Sequence, residues 1–237
     1  MTVIYEPKGR AREYAELACN LYRGCTHSCD YCYTPGVLRM KAEEFHAAAI
    51  PRKGILNNIG KEAKKLSGDP RRVLLCFTCD PYHPGDTVTT RNALQILRDN
   101  DIHFEVLTKG GTRAVRDFDL YRDGDAFAST LTCRRDQDSL RHEPGAAIPM
   151  DRYAAIEIAK KRDIQTWVSI EPVIDPEQSL ATIKAMHEVV DLWKVGKLNH
   201  RSSNIDWKRF GHRAVNLMES LGAKYIIKDD LRREMEG

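Results

Sequence analysis

"RVLLCFTCD" (residues 72–80) is followed by "TVTTRNALQILRDN" (87–100) and then by "IHFEVLTKG" (102–110). The first and third segments are short apolar runs, the pattern of strands covered on both faces. Between them Ala93, Leu94 and Leu97 fall on one face of a helix. A strand, a crossover helix and a second strand make a parallel βαβ unit. Downstream, "DAFASTLTC" (125–133) and "QTWVSIEPV" (165–173) read as strands around the helix "PMDRYAAIEIAKKRD" (149–163), with Pro149 in its first turn. Asp175, Pro176 and Gln178 spell a capped start for a helix over 175–190. A short strand over 191–197, a helix over 205–222 stopped by Gly222 and a last strand over 223–229 complete the series. Upstream, "ACNLY" (18–22) reads as the first strand, and 43–66 as a helix interrupted near Pro51. This alternation predicts an α/β fold in one domain over 1–237, with a parallel sheet spanning about 17–229. Six or seven units are too few for a closed eight-stranded barrel, so a partial (βα)6-type barrel is expected, with ligands at the carboxyl ends of its strands.

The bulk composition is that of an ordinary globular chain, 42% hydrophobic and 30% charged. No apolar run approaches the roughly 20 residues needed to cross a bilayer. The start lacks the apolar core of a secretory signal, so a cytoplasmic protein is expected. The net charge of +3 is weak for a dedicated polyanion binder. Seven cysteines, an odd number, argue against a disulfide framework in a reducing compartment.

Three of the seven are crowded into "RGCTHSCDYCY" (23–33), in the order C-x3-C-x2-C, just after the first strand. Structural zinc wants four closed ligands, and His27 inside the loop could supply a fourth. An iron–sulfur cluster held by Cys25, Cys29 and Cys32 would instead keep one iron free of protein thiolate. Rim residues Asp80, Lys109 and Glu171 separate an enzyme from a non-catalytic iron–sulfur or zinc module that binds nucleic acid or protein, because a bare metal knuckle does not require them.

The loop resembles the CxxxCxΦC motif of the radical S-adenosylmethionine (SAM) superfamily, with Tyr31 as the aromatic residue Φ. "CNLYRGCTHSCDYCY", "TCDPYHPGD", "VLTKGG" and "IEPVID", in that order, resemble its spore photoproduct lyase-like branch over roughly residues 15–175. The resemblance implies the same partial barrel and a 4Fe–4S cluster on Cys25, Cys29 and Cys32. It further implies S-adenosylmethionine chelated at the open iron, and an external one-electron donor such as flavodoxin or ferredoxin. Reductive cleavage of the cofactor to a 5′-deoxyadenosyl radical is the implied chemistry. A DNA photoproduct or other nucleic-acid lesion is the substrate the branch suggests, with an RNA base, a nucleotide or a peptide as the alternative.

The resemblance also implies cofactor contacts from Tyr31, Cys79, Asp80, Tyr82, Lys109, Ser129, Thr130 and Glu171. It implies hydrogen return to substrate by a cysteine on the second strand, with Tyr31 and Tyr33 as relay candidates. Cys76 and Cys79 stand three apart, so in an extended strand they face opposite sides. Cys79, nearer the rim, is the one expected to face the site. Cys19 and Cys133 are expected in packing. His83 and the polar set Lys194, Lys197, Asn199 and His200 are weaker candidates at the same rim.

Overall fold

A computed structural model describes residues 2–237. The apolar runs become the core strands of one eight-stranded sheet. These are β2 (Leu17–Cys19), β5 (Val73–Leu75), β6 (Phe104–Thr108), β7 (Ala126–Thr130), β8 (Gln165–Ile170), β9 (Leu192–Val195) and β10 (Tyr225–Ile227). They lie in that order and pair in parallel, and β1 (Ile4–Tyr5) is added antiparallel to β2 at one edge. The sheet does not close, since β1 and β10 are its two ends. A separate two-stranded ribbon joins β3 (Tyr22–Arg23) to β4 (Ile50–Pro51).

The helices are α1 (Thr34–Leu38), α2 (Ala42–Ala47), α3 (Ile55–Leu66), α4 (Val88–Asp99), α5 (Asp136–His142), α6 (Pro149–Lys161), α7 (Pro176–Met186), α8 (Trp207–Ser220) and α9 (Asp229–Glu236). Asp175 caps α7 as its sequence predicts, accepting from the amides of Glu177 and Gln178. Asp206 caps α8 through the amide of Arg209. None of the helices among the described residues is long and apolar enough to cross a membrane.

Side-chain alternation divides the sheet between two cores. Val73, Leu75, Phe104, Val106, Phe127, Val168 and Ile170 pack with Leu94, Leu97, Ile156, Ile183 and Phe210 of the helices. The opposite face carries Ala18, Leu74, Ala126, Ala128 and Trp167 in a separate cluster without helix residues. Small residues suit that face because curvature crowds side chains on the inside of a barrel.

Two elements depart from the sequence pattern. The run 72–80 is strand only as far as Leu75, and residues 77–79 bend. The cause is Asn20, whose Oδ1 accepts from the amides of both Phe77 and Thr78 at 2.8 Å each. Those amides are thereby withdrawn from the strand ladder. The helix expected over 43–66 is interrupted near Pro51 as its sequence predicts, but the break is a strand, β4, because Arg52 N donates to Leu21 O instead of continuing a helical turn. The 3₁₀ segments Gly9–Glu13 and Gly111–Leu120, and the helices α5 and α9, fall outside the elements that the sequence pattern predicts.

Candidate functional site

A cavity of about 550 Å³ opens at the carboxyl ends of the strands, within the range of about 300–1,000 Å³ usual for ligand pockets. Its wall combines the cysteine loop, the turn after β5, the ends of β6, β7 and β8, and the segment around Asn199. Cys25, Cys29 and Cys32 all line it.

The loop that presents them is tightly seated. Gly24 has φ +83°, and a Cβ there would lie 2.0 Å from Ala48 O, so only glycine fits. Cys25 N donates to Phe45 O at 3.1 Å, and Cys32 N to Cys29 O at 3.1 Å. Burial pushes the Cys29 thiol up to about 12, with Lys109 opposing, and burial raises Cys25 further. Ligation to a metal would remove those protons outright.

The alternative of zinc with His27 as fourth ligand does not fit. Arg113, which can only donate, approaches His27 Nε2 at 3.3 Å. That leaves the ring proton on Nδ1, which faces Asp80 Oδ2 at 3.4 Å. Burial holds this histidine neutral, near a pKa of about 4. Both ring nitrogens are therefore engaged. Among the described residues no three His, Cys, Asp or Glu side chains are grouped to hold one ion. Three thiolates on three separate irons have no need to converge, so the donor set suits a cluster better than a single zinc ion.

Tyr31 lines the cavity, but its hydroxyl donates to Glu143 and lies 3.2 Å from Thr132 Oγ1. Glu143 in turn pairs with Arg152 at 2.6 Å, both side chains fully removed from water. Arg152 is satisfied by the carbonyls of Ala147 and Thr130. The cysteine loop thus rests on a buried ionic wall. Lys109 lies with its ammonium 5.6 Å from the centroid of the Tyr31 ring. Burial works to lower its pKa, but Cys29 and Glu143 nearby keep it above the ordinary lysine value. Tyr33 is about half exposed, stacks on His200 at 5.9 Å, and donates to Phe77 O at 3.4 Å.

The strand-end candidates divide by parity and by the turn. Thr130 reaches the cavity, whereas Ser129, its neighbour on β7, is buried and donates to Thr108 O at 3.0 Å. Adjacent residues of a strand point to opposite faces, so the pair cannot serve together. Tyr82 is also off the cavity wall, fully buried, its hydroxyl donating to Asp117 at 2.9 Å. Asp80 borders the cavity, yet its carboxylate accepts from Tyr82 N at 2.8 Å, Thr108 Oγ1 at 2.6 Å and Lys109 N at 2.8 Å. Burial would raise its pKa, but His27 and these donors hold it below the usual range. Asp80 ties the turn after β5 to the end of β6. Glu171 is on the wall and accepts from Tyr14, Lys228 and, at 2.9 Å, Asn199. Lys197, Asn199 and His200 also line the mouth, while Lys194 donates to Tyr14 O at 2.6 Å beneath it. His83 is buried against Tyr22, away from the cavity wall.

The second-strand cysteines are not arranged as alternation predicts. Cys76 and Cys79 both line the cavity. The strand has already ended at Leu75, so the rule that separates i from i+3 no longer applies. Cys76 is 5% exposed and Cys79 is half-buried. Residues to which the motifs assign no role complete the site: Tyr14, Asn20, Thr78, Glu143, Arg152 and Lys228. Thr78 lines the cavity with a buried hydroxyl that has no protein partner. Asn20 and Thr78 lie within quoted motifs, and the role of Asn20 depends on a contact 57 residues away.

Comparison with known proteins agrees with this architecture. The fold matches a variant of spore photoproduct lyase with a TM-score of 0.71 at 12% identity, over 95% of this chain and 78% of that one. Another structure of that enzyme, with bound AdoMet and dinucleoside spore photoproduct, matches at 0.64 and 17% identity, over 92% and 63% of the two chains. SuiB of Streptococcus suis bound to its precursor peptide SuiA matches at 0.69 and 10% identity, over 92% of this chain and 50% of that one. An uncharacterised protein, ORF301 of Acidianus two-tailed virus, is 22% identical over 184 residues, 73% of this chain and 61% of its own length. The family model for the radical SAM superfamily matches residues 19–190, from the end of β2 through the helix after β8. With that match across most of the sheet and a cysteine-lined cavity at its carboxyl edge, the chain belongs to the radical SAM superfamily.

Proposed function

We propose that the protein is a radical SAM enzyme of the spore photoproduct lyase-like kind, with a 4Fe–4S cluster on Cys25, Cys29 and Cys32. The observation that carries this reading is that all three loop thiols and the turn thiol Cys79 open onto one cavity. When bound and reduced, the cluster and S-adenosylmethionine supply a 5′-deoxyadenosyl radical. An external one-electron donor such as flavodoxin or ferredoxin provides the electron.

The chain's own groups bind, orient and exclude water. The Lys109 ammonium is available for the cofactor carboxylate, and the orphaned Thr78 hydroxyl for a polar cofactor atom. Thr130 offers a hydroxyl from the next strand. A carboxylate has about four acceptor positions. Glu171 accepts three bonds from protein donors, leaving room for one ribose hydroxyl. Asp80, which accepts three protein bonds and faces the His27 ring N–H, positions Lys109 through its backbone amide. Cys79 returns hydrogen to the substrate; Tyr33 at the mouth suits a relay better than Tyr31, whose hydroxyl is committed to Glu143.

A nucleic-acid lesion is the substrate class favoured by the likeness to spore photoproduct lyase. A peptide is the second reading, favoured by the comparable likeness to SuiB with its precursor peptide. Anaerobic reconstitution should yield about four irons per chain and S-adenosylmethionine-dependent 5′-deoxyadenosine, both lost in Cys29→Ala. Adding S-adenosylmethionine should change the electron paramagnetic resonance spectrum of the reduced cluster. Stoichiometric zinc without iron, or a spectrum unmoved by saturating S-adenosylmethionine, would overturn the assignment.

A further inference from the structure

All seven cysteines are free, and four besides the cluster ligands are distributed unevenly. Cys133 is buried near α5 and α6, and Cys19 is buried on β2. Cys76 and Cys79 form a C-x-x-C sequence on the cavity wall. In an extended strand this spacing separates the thiols across the sheet. Here the backbone bends over residues 77–79, with Asn20 holding the amides of Phe77 and Thr78. Consecutive bends at Phe77, Thr78 and Cys79 draw the two ends of the segment together, as closure requires, since disulfides span Cα separations of about 4.4–6.8 Å. Burial raises the Cys76 pKa, and the neighbouring Cys79 thiol raises it further.

We infer that Cys76 and Cys79 are a redox-active dithiol, closing reversibly to a disulfide on the cavity wall by exchange with a low-molecular-weight disulfide of the glutathione class. Cys79, the more exposed thiol, attacks first. Its thiolate sulfur bonds to one sulfur of the incoming disulfide and expels one thiolate. Cys76 then attacks the Cys79 sulfur in that mixed disulfide, forming the internal S–S bond and expelling the second thiolate. Both cysteine protons pass to solvent or to the departing thiolates, and two electrons pass to the incoming disulfide, which leaves as two thiols. The reverse exchange restores the dithiol. The bearing on function rests on the proposed role of Cys79: only the reduced pair carries a transferable S–H hydrogen, so the pair's redox state sets whether hydrogen can be returned.

Trypsin provides a direct readout, because cleavage after Arg72 and Arg91 releases both cysteines in one peptide. Anaerobically reconstituted protein would be equilibrated across glutathione and glutathione disulfide ratios, quenched with acid, alkylated and analysed by mass spectrometry. The 73–91 peptide should pass from two alkyl groups to none, with loss of two hydrogens, and should return fully on adding dithiothreitol. Cys76→Ser should instead accumulate a glutathione adduct on Cys79, and Cys19→Ser should leave the internal disulfide unchanged. Two alkyl groups at every ratio, a stable adduct on Cys79 in the wild-type chain, or a Cys79 bond to Cys19 or Cys25 would each overturn the inference. Iron content and 5′-deoxyadenosine are measured on the same samples. A chain that closes the disulfide but makes no 5′-deoxyadenosine would remove the proposed function and leave the dithiol standing; the opposite result would do the reverse.

Discussion

Glu143 and Arg152 have no solvent to fall back on, so each depends on the other for its charge. Removing one partner of such a buried pair costs about 3–5 kcal/mol, because the remaining charge is stranded. Glu143→Gln is therefore expected to lower the chemical-denaturation free energy by about that amount, and to loosen the cysteine loop through Tyr31. The pH dependence follows from the same pair. Burial would raise the Glu143 pKa, but Arg152 and Lys109 more than offset it and leave it lowered. A carboxylate with a depressed folded-state pKa contributes its stability above the unfolded value, about 4.3, and loses it as pH falls through the folded value. Denaturation midpoints measured from pH 6 downward should fall through the region below about 4.3 in the wild type, and that component should be missing in Glu143→Gln. An unchanged slope in the variant would show that other carboxylates set the acid limb.

Among the elements, the turn after β5 and the cysteine loop each depend on one residue. Asn20→Ala would leave two amides without their acceptor, at a cost of about 1–3 kcal/mol for each one that water cannot reach. The turn should then open, and the rate of Cys79 alkylation should rise in the presence of unchanged Cys133 reactivity. Asn20→Asp keeps the acceptor oxygen and should preserve the slow rate. For the cysteine loop, Gly24→Ala would drive a Cβ into Ala48 O at a backbone angle of φ +83°. Iron content after reconstitution should drop severely in that variant. Full iron loading would mean that the loop shifts cheaply, contrary to its close backbone packing.

Across the whole molecule, the open edge of the sheet is spanned by the chain's own beginning. From β1 at one edge, the segment Gly9–Tyr14 reaches toward the other. Tyr14 meets Glu171 and, at 3.0 Å, Ser169. Glu13 accepts from Asp229 N at 2.7 Å, and Arg10 pairs with Asp230. This strap holds the β8–β10 side to the β1–β2 side without strand pairing. Backbone groups in the centre of a sheet open last. Hydrogen exchange should therefore be slowest in β6, β7 and β8 and fastest in β1 and β10. Tyr14→Ala should raise exchange in β9, β10 and α9 while leaving β6 and β7 near their original rates. Uniform acceleration across all strands would mean that the strap stabilises the fold as a whole and does not merely clasp its open side.

Local chemistry accounts for what the sequence determined alone. The apolar runs from Leu17 to Ile227 order seven parallel strands, and Asp175 and Pro176 mark a helix start, because burial and capping act through near neighbours. The spacing of Cys25, Cys29 and Cys32 is legible for the same reason: three ligands in one short loop need no distant partner to be recognised. Contacts over long separations decided the remainder. Asn20 ends β5 early and turns Cys76 to the same cavity as Cys79, a change that strand periodicity cannot express. Arg113 and Asp80 occupy both nitrogens of His27, which the loop sequence leaves as a potential ligand. Ser129 sits beside Thr130 in sequence but faces away from the cavity, since position along a strand fixes the side, and Tyr82 in the turn after β5 is drawn inward by its bond to Asp117. Glu143, Arg152, Tyr14 and Lys228 acquire their roles only when the folded chain brings buried charges within hydrogen-bond reach, where each must be paired or pay the cost of desolvation.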